Sequence, residues 1–266
     1  MEGRLTMAES REGLVSREAL AVSQFGPRAG AYVASAVHSG GADLDRLSEL
    51  AALARPAHAL DLGAGGGHVA YRLAAAAQRV TAVDLSADML RAVAEEAGRR
   101  GLANVETLQA SVERLPLPDA ACDFLASRFS AHHWRDAAAG LREARRVLRR
   151  GAPALFIDIV SPGPAAPDTH LQTVETLRDS SHVRDYSCAE WAAMLAGAGF
   201  ALRNSRTWRL RMDFESWTAR IRTPAPLSQA IRLLQQGADE ELTRFFGIES
   251  DGSFWLDAAC FETEAA

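Results

Sequence analysis

An apolar run that enters an acidic residue and a glycine-rich turn is the feature that most constrains this chain. The run covers residues 58–62, contains Asp61, and leads into the sequence GAGGG at residues 63–67. A second apolar run at residues 80–83 ends on another carboxylate, Asp84. Glycines in such a turn permit positive backbone angles and a close ligand approach that a β-carbon would obstruct. The layout predicts the first strand, turn, helix and second strand of a nucleotide-binding α/β sheet.

The alternation of strand-like and helix-like segments continues beyond this unit. Ser86 is suited to cap a helix that carries Leu90 and Val93 at helical spacing and ends at Gly101. Further strands are predicted at residues 104–108, 121–127 and 154–160, with a helix at 136–149. Helices at 168–179 and 189–198, an extended run at 200–211, more helix within 214–247 and a last strand at 254–261 follow. The alternation predicts a parallel, doubly wound sheet.

Length and composition exclude several classes of protein. The 266 residues suffice for one large α/β domain. The net charge of -5 does not indicate a nucleic-acid-binding protein. No apolar run reaches the roughly 18 residues of a membrane span. The three cysteines, Cys122, Cys188 and Cys260, are too few and too far apart to predict a disulfide framework or a zinc site. We therefore expect a cytoplasmic protein without a metal site.

The two carboxylates at the strand ends leave alternatives open. Asp61 suits a cationic ligand better than a pyrophosphate, and S-adenosylmethionine carries an ammonium and a sulfonium. A competing interpretation takes Gly65-x-Gly67-x-x-Ala70 as a dinucleotide fingerprint, although that turn would start well past the strand end. Asp84 is placed to accept both hydroxyls of a ribose, or else to act as a charge at the helix N-terminus.

Several motifs occur together in one order and spacing. They are Asp61 to Gly67, Val83-Asp84-Leu85-Ser86-x-x-Met89, Leu115-Pro116-x-Pro118-Asp119, Cys122-Asp123, Ser127 to Trp134, and Leu141-Arg142-Glu143-x-x-Arg146-Val147-Leu148. In this respect the chain resembles class I S-adenosylmethionine-dependent methyltransferases, and within them the branch that includes the ubiquinone and menaquinone C-methyltransferases. The likeness covers residues 20–160 strongly and the C-terminal part weakly.

The expected fold is therefore a doubly wound, Rossmann-like α/β domain. We expect a seven-stranded, mostly parallel sheet with helices on both faces and an antiparallel final strand. Residues 1–20 are predicted to be a flexible segment and 21–266 a single domain. Within it, 21–160 would form the cofactor-binding core, and 161–250 a lid and helical insertion over the acceptor pocket.

The resemblance implies a set of residues that bind S-adenosylmethionine. Asp61 and the turn would hold its methionine moiety and Asp84 its ribose, while Ser111 stands where the family often has an acidic residue for adenine. The predicted cofactor-binding residues are Tyr32, Asp61, Gly63, Ala64, Gly65, Asp84, Leu85, Met89, Ser111, Val112 and Arg128.

The acceptor side is predicted from two clusters. In Ser127–Trp134, Arg128 is a candidate to orient an anionic acceptor, and His132 or His133 a candidate general base, since imidazole titrates near neutrality. The favoured alternative is that both histidines shape the cofactor pocket and hydrogen-bond to the backbone. In the second cluster, at residues 178–186, His182 and Arg178 are the leading candidates for substrate contact. The predicted catalytic residues are His132, Arg128 and His182.

Together these features predict a small-molecule methyltransferase. The methyl group would pass in line from S-adenosylmethionine to a carbon, oxygen or nitrogen nucleophile, with release of S-adenosylhomocysteine. The expected partners are a small-molecule acceptor and no nucleic acid, in a monomer or homodimer. A nicotinamide-dinucleotide-dependent oxidoreductase and a non-catalytic S-adenosylmethionine-binding protein are the alternatives.

Overall fold

The computed structural model describes residues 16–25 and 40–266, and one seven-stranded sheet organises them. The strands are β1 (Ala59–Leu62), β2 (Val80–Asp84), β3 (Val105–Gln109), β4 (Phe124–Arg128), β5 (Pro153–Val160), β6 (Phe200–Met212) and β7 (Phe254–Ala265). Their spatial order is β3-β2-β1-β4-β5-β7-β6. Strands β1 to β5 are parallel, and β7 lies antiparallel between β5 and β6. The predicted fold class, including the antiparallel final strand, is confirmed.

Helices flank the sheet. They are α1 (Arg17–Phe25), α2 (Ala42–Ala54), α3 (His68–Leu73), α4 (Ala87–Arg99), α5 (Ala137–Val147), α6 (Ala165–Arg178), α7 (Cys188–Ala198), α8 (Phe214–Arg220), α9 (Ala225–Gln236) and α10 (Glu240–Phe246), with a short 3-10 turn at Ala131–His133. Ser86 caps α4 as predicted, because its side chain accepts a hydrogen bond from the Met89 N–H. None of the helices within the described residues is long and apolar enough to cross a membrane.

Two elements differ by four residues at one end from their predictions. The small residues after the glycine turn predict a helix over about residues 67–77, but α3 ends at Leu73, four residues early, and the Ala76 N–H instead closes a turn onto the Leu73 carbonyl at 3.0 Å. Strand β7 runs on to Ala265, four residues further than predicted, because β6 offers a partner along its whole length, with Phe200 opposite Ala265. Local sequence does not reveal such pairing, since the partner strand is distant in the chain.

The strand order reverses beside β1, which has β2 on one side and β4 on the other. In open α/β sheets, the crevice at such a reversal, beyond the carboxyl ends of the strands, is where ligands bind. Two buried clusters cover the two faces of the sheet. Each buries apolar side chains that flanking helices contribute, so both faces are closed and the strand ends are the accessible edge.

A third apolar cluster lies within the segment after β5. We call it the cap cluster; its buried members are Leu171, Val174, Met212, Phe214, Trp217, Ile231, Phe246, Phe254 and Leu256. It joins α6 and helices α8 to α10 to the ends of β6 and β7. The helices of the predicted insertion therefore share a core with the sheet.

Part of the N-terminal region lies outside the described residues. Of the segment 1–20 that the sequence predicts to be flexible, residues 16–20 are described, and residues 17–20 belong to α1. Residues 1–15 and 26–39 lie outside the described residues, and so does Tyr32, which the sequence predicts to bind the cofactor.

Gln235 provides a test of the packing around the cap cluster. Its side chain is 2% exposed, and neither its Oε1 nor its Nε2 finds a hydrogen-bond partner among the described residues. An unsatisfied buried polar group costs about 1–3 kcal/mol. Gln235→Met keeps the length and removes both polar atoms, so we expect the free energy of unfolding in urea to rise by about 1 kcal/mol. The exposed neighbour supplies the control: Gln236→Met should leave it unchanged. A less stable Gln235→Met would contradict the prediction.

Candidate active site

A cavity of about 640 Å³ opens at the carboxyl ends of the parallel strands. Ten of the predicted cofactor-binding residues line it: Asp61, Gly63, Ala64, Gly65, Asp84, Leu85, Met89, Ser111, Val112 and Arg128. Of the predicted catalytic residues, Arg128 and His132 line the same cavity. The fold thus brings together residues that are distant in the chain, such as Asp61 and His132, which are 71 positions apart.

The glycine turn is folded tightly against β2. The N–H groups of Gly63 and Ala64 both donate to the Val83 carbonyl, at 2.9 and 2.8 Å. Gly63 has φ +71°, and a β-carbon there would come within 1.8 Å of the Ser130 Oγ. Gly65 has φ +48°, but its missing β-carbon would meet no atom within 4 Å. Because Gly65 lines the cavity, that open space is where a ligand can approach the backbone.

Asp84 ties the end of β2 to the turn and to α4. Its Oδ2 accepts a hydrogen bond from the Gly65 N–H at 2.9 Å, and its Oδ1 accepts one from the Ser86 N–H at 2.8 Å. Burial raises the pKa of this carboxyl, and the two backbone hydrogen bonds lower it again in part. A carboxylate can accept about four hydrogen bonds, so Asp84 retains acceptor capacity toward the cavity.

Asp61 ties β1 to α3. It is 1% exposed, and its Oδ2 accepts a hydrogen bond from the Ala70 N–H at 2.9 Å. Burial raises the pKa of Asp61 to about 7, the hydrogen bond from Ala70 lowers it in part, and the nearby Asp84 charge raises it. Two carboxylates thus face one low-dielectric space, which favours a cationic or proton-donating ligand there.

Arg128 is held by an ion pair that the sequence did not indicate. Its Nε lies 2.5 Å from the Asp43 Oδ2, and both side chains are buried. Its guanidinium also lies over the Phe129 ring, at 4.5 Å from the centroid. The pair joins the end of β4 to α2 and forms part of the cavity wall. Arg128 therefore contacts Asp43 from its Nε, and its role toward an acceptor stays a prediction.

His132 forms a buried pair with Asp158, near the end of β5. The His132 Nδ1 lies 2.5 Å from the Asp158 Oδ1, and the Asp158 Oδ2 accepts a hydrogen bond from the Ala131 N–H at 2.8 Å. Burial by itself lowers the pKa of His132, but the Asp158 charge and hydrogen bond outweigh it and raise the pKa to about 9. The expectation that this imidazole titrates near neutrality is therefore wrong.

The other two histidines of the predicted clusters lie close to His132. The His133 Nδ1 lies 3.3 Å from the Ser181 Oγ, and burial together with the His132 charge lowers the pKa of His133 to about 4. The His182 Nε2 lies 3.0 Å from the Gln172 Oε1. His182 is 3% exposed and is not among the cavity-lining residues, so it lies behind the cavity wall rather than in it.

Two carboxylates near His132 were not predicted as site residues. Asp158 stands in the apolar strand ALFIDIV, the same pattern of an acid near a strand end that singled out Asp61 and Asp84. That signal was therefore present in the sequence. Asp185 lines the cavity from the loop after α6, and no local pattern distinguishes it from the other charged residues of 178–186.

The far end of the cavity has an apolar wall with basic side chains. Strand β6 contributes alternate residues that face one way, and the cap cluster adds Trp217 and Leu256. The residues that line this end are Ile159, Arg178, Trp208, Leu210, Met212, Trp217, Arg220 and Leu256. The cavity thus has an acidic, glycine-rich end at β1 and β2 and an apolar end beneath α6 and α8.

Comparison with known protein families agrees with this geometry. A family model described as "Methyltransferase domain" matches residues 60–156, which run from β1 into β5 and include the glycine turn, Asp84 and the His132 segment. The match therefore covers the parallel part of the sheet and one end of the cavity.

Individual relatives extend the likeness beyond that region. The chain is 45% identical to YafE of Escherichia coli (strain K12) over 194 residues, which is 72% of this chain and 94% of YafE. It is 32% identical to the methyltransferase YcgJ of Bacillus subtilis (strain 168) over 83% of this chain and 88% of YcgJ. It is also 32% identical to the ubiquinone/menaquinone C-methyltransferase UbiE of Rubrivivax gelatinosus, over 58% of this chain and 67% of UbiE.

A solved structure shows the same architecture. The crystal structure of YcgJ superposes with a TM-score of 0.80 at 30% sequence identity, and the match covers 84% of this chain and 97% of YcgJ. This coverage exceeds the share of the chain that residues 1–156 make up, so the similarity includes part of the segment after the family-model match, where sequence motifs are weakest.

The raised pKa of Asp61 predicts a pH-dependent stability of the cofactor-free protein. Between the unfolded pKa of about 3.9 and the folded pKa of about 7, the folded state binds more protons, so stability falls as the pH rises. Asp61→Asn removes this titration and keeps a side-chain oxygen for the Ala70 N–H. From pH 5 to pH 8, we expect the stability of the wild type to fall by about 2–3 kcal/mol relative to Asp61→Asn.

Urea unfolding at several pH values measures that difference. The exposed Asp88 on α4 offers a matched control, since Asp88→Asn should give a stability curve parallel to that of the wild type. Parallel curves for the wild type and Asp61→Asn would contradict the prediction.

Proposed function

Because this chain belongs to the S-adenosylmethionine-dependent methyltransferases, we propose that it methylates a small molecule bound at the apolar end of the cavity. The single observation that carries this proposal is that both ends belong to one cavity of about 640 Å³. Small-molecule sites typically occupy 300–1,000 Å³ and are mostly apolar with a few placed polar groups. Helices α6 and α8 cover the apolar end, which favours a small acceptor over a macromolecular one.

The cavity's acidic end fits the cofactor. Gly65 leaves open space where a β-carbon would otherwise project, and the buried Asp61 and the half-buried Asp84 are carboxylates with acceptor capacity. S-adenosylmethionine offers an ammonium, two ribose hydroxyls and an adenine to such a surface. When bound, it supplies a methyl group already activated by its sulfonium, which a nucleophile can accept directly.

We assign the cofactor contacts by position in the cavity. Asp84 accepts hydrogen bonds from the ribose hydroxyls, and Asp61 with the backbone of the glycine turn holds the methionine moiety. Leu85 follows β2 and Met89 lies in the first turn of α4, and both line the cavity where they would flank the adenine. Ser111 and Val112 follow β3 and line the same part of the cavity.

The protein's main contribution to the reaction is placement. Holding an acceptor against the methyl group can contribute on the order of 7–11 kcal/mol, and a closed cavity excludes competing water. Within the cavity wall, the Arg128–Asp43 pair fixes the boundary between the two ends, and His132 faces the acceptor side. His182 acts as a positioning residue through Gln172, because it lies behind the wall.

We further propose that the protein acts in the cytoplasm as a monomer or homodimer. The three cysteines are all unpaired, with Cys122 and Cys260 buried and Cys188 exposed, which suits a reducing compartment.

Replacing Asp84 tests the ribose assignment. Asp84→Ala should weaken the binding of S-adenosylhomocysteine by about tenfold or more, the scale of losing hydrogen bonds to a charged group. Isothermal titration calorimetry measures the affinity. Since Asp84 also holds Gly65 and Ser86, Asp84→Asn is measured in parallel, and Asp88→Ala in the helix that follows is the control. If Asp84→Ala bound as tightly as the wild type, the assignment would be wrong.

The size of the acceptor is tested with S-adenosylmethionine that carries a radioactive methyl group. Incubation of the protein with the label and an unfractionated bacterial extract should place radioactivity in small organic molecules. This product should resist protease and nuclease treatment and pass an ultrafiltration membrane. Label found only in protein or nucleic acid would contradict a small-molecule acceptor. Heat-inactivated protein supplies the background.

A further inference from the structure

One oxygen of the Asp185 carboxylate, which lines the cavity, has no hydrogen-bond partner among the described residues. The side chain is 2% exposed, and the oxygen concerned is Oδ2. The His182 Nε2 lies 4.0 Å away and is engaged by the Gln172 Oε1 at 3.0 Å. Burying a polar atom without a hydrogen bond costs free energy. The Asp185 Oδ2 therefore has acceptor capacity left for a cation or a proton donor.

The neighbouring His132 is arranged as metal-ligating histidines are. Its Nδ1 donates to the Asp158 Oδ1, so Nε2 is the ring atom left to bind a ligand. Histidine ligands of metals almost always donate the other ring N–H to a carboxylate, carbonyl or water, which fixes the tautomer and raises the basicity of the ligand. Asp158 is itself fixed, because its oxygens also accept the N–H groups of Ala131 and Ile159.

The three side chains converge. One potential ligand atom from each of His132, Asp158 and Asp185 lies within 4.8 Å of the other two. His132 and Asp185 line the cavity, whereas Asp158 is not a lining residue and stands behind His132. The 2.5 Å contact between Nδ1 and Oδ1 is that of a hydrogen bond, so Asp158 fits an outer partner better than a direct ligand.

Acidic and basic side chains both lie around His132 and Asp185. Two more buried carboxylates, Glu175 and Asp179, line the cavity nearby. Glu175 pairs with Arg178 at 3.3 Å, while Asp179 is bonded to the N–H and hydroxyl of Ser181. Glu175 and Asp179 thus have partners within the protein, whereas the Asp185 Oδ2 has none among the described residues.

We propose that His132 and Asp185, with Asp158 behind His132, bind a divalent transition-metal ion at the acceptor end of the cavity. An imidazole together with carboxylates suits Mn²⁺, Fe²⁺ or Zn²⁺, whereas Mg²⁺ and Ca²⁺ prefer oxygen ligands alone. Two protein ligands leave positions for water and for an oxygen or nitrogen of the acceptor. The sequence predicted no metal site, because the three residues come from three separate elements at no recognisable spacing.

Binding of Mn²⁺ alone to the full chain, freed of metal with a chelator, tests the proposal. The loss of the EPR signal of free Mn²⁺ should give one bound ion per chain. Asp158→Asn should weaken binding by about 10–100-fold, as for other outer partners, and Asp185→Asn should weaken it further. Glu113→Gln removes a carboxylate from the β3 side of the same cavity and should leave the affinity unchanged. No binding at millimolar Mn²⁺ or Zn²⁺, or binding that Asp185→Asn leaves unchanged, would overturn the proposal.

Thermal unfolding of the same samples distinguishes a variant that has lost a metal ligand from one that no longer folds stably. Mn²⁺ should raise the melting temperature of the wild type and not that of Asp185→Asn. Without metal, Asp185→Asn should melt no lower than the wild type, since the Oδ2 that it replaces has no hydrogen-bond partner among the described residues. A lower value would mean that the carboxylate already has a stabilising partner in the protein, which would overturn the premise. The affinity for S-adenosylhomocysteine, measured alongside, reports on the cofactor end independently.

Discussion

The position of the glycine turn depends on two carboxylates, Asp61 and Asp84, which stand at the ends of the adjacent strands β1 and β2. Asp61 binds the Ala70 N–H in α3, and Asp84 binds the Gly65 N–H in the turn. Each joins a strand of the sheet to the backbone that must face the ligand. Both stay in a low-dielectric space where their ionisation is disfavoured. The same groups that shape the turn are therefore the ones that a cationic, hydroxyl-bearing cofactor would satisfy.

The apolar end of the cavity depends instead on the packing of segments that are distant in the chain. There, β6 and β7 extend the sheet beyond β5, and the cap cluster anchors α6 and α8 over the strand ends. This packing covers the apolar end of the cavity and positions the His132–Asp158 pair. One cavity thus combines a backbone-lined, acidic region with an apolar region.

Much of the fold was predictable because its signals are local. The apolar runs of β1 to β5, the cap at Ser86 and the glycine turn each follow from residues close together in the chain. The ion pair of Arg128 with Asp43 was not predictable, since its partners are 85 positions apart and no local pattern links the two residues. The pKa of His132 was likewise predicted wrongly, because the Asp158 carboxylate that raises it belongs to another strand.

By itself, the sequence determined the α/β class, the order of strands and helices, and the acids and glycines that mark the cofactor end. These properties depend on periodicity and on motifs a few residues long. Only the tertiary structure decided that His182 lies behind the cavity wall, and that Asp185 comes close to His132 without a partner of its own. The physical reason is that charge, burial and ligand geometry depend on which distant segments pack together, and no local pattern in a single sequence records that packing.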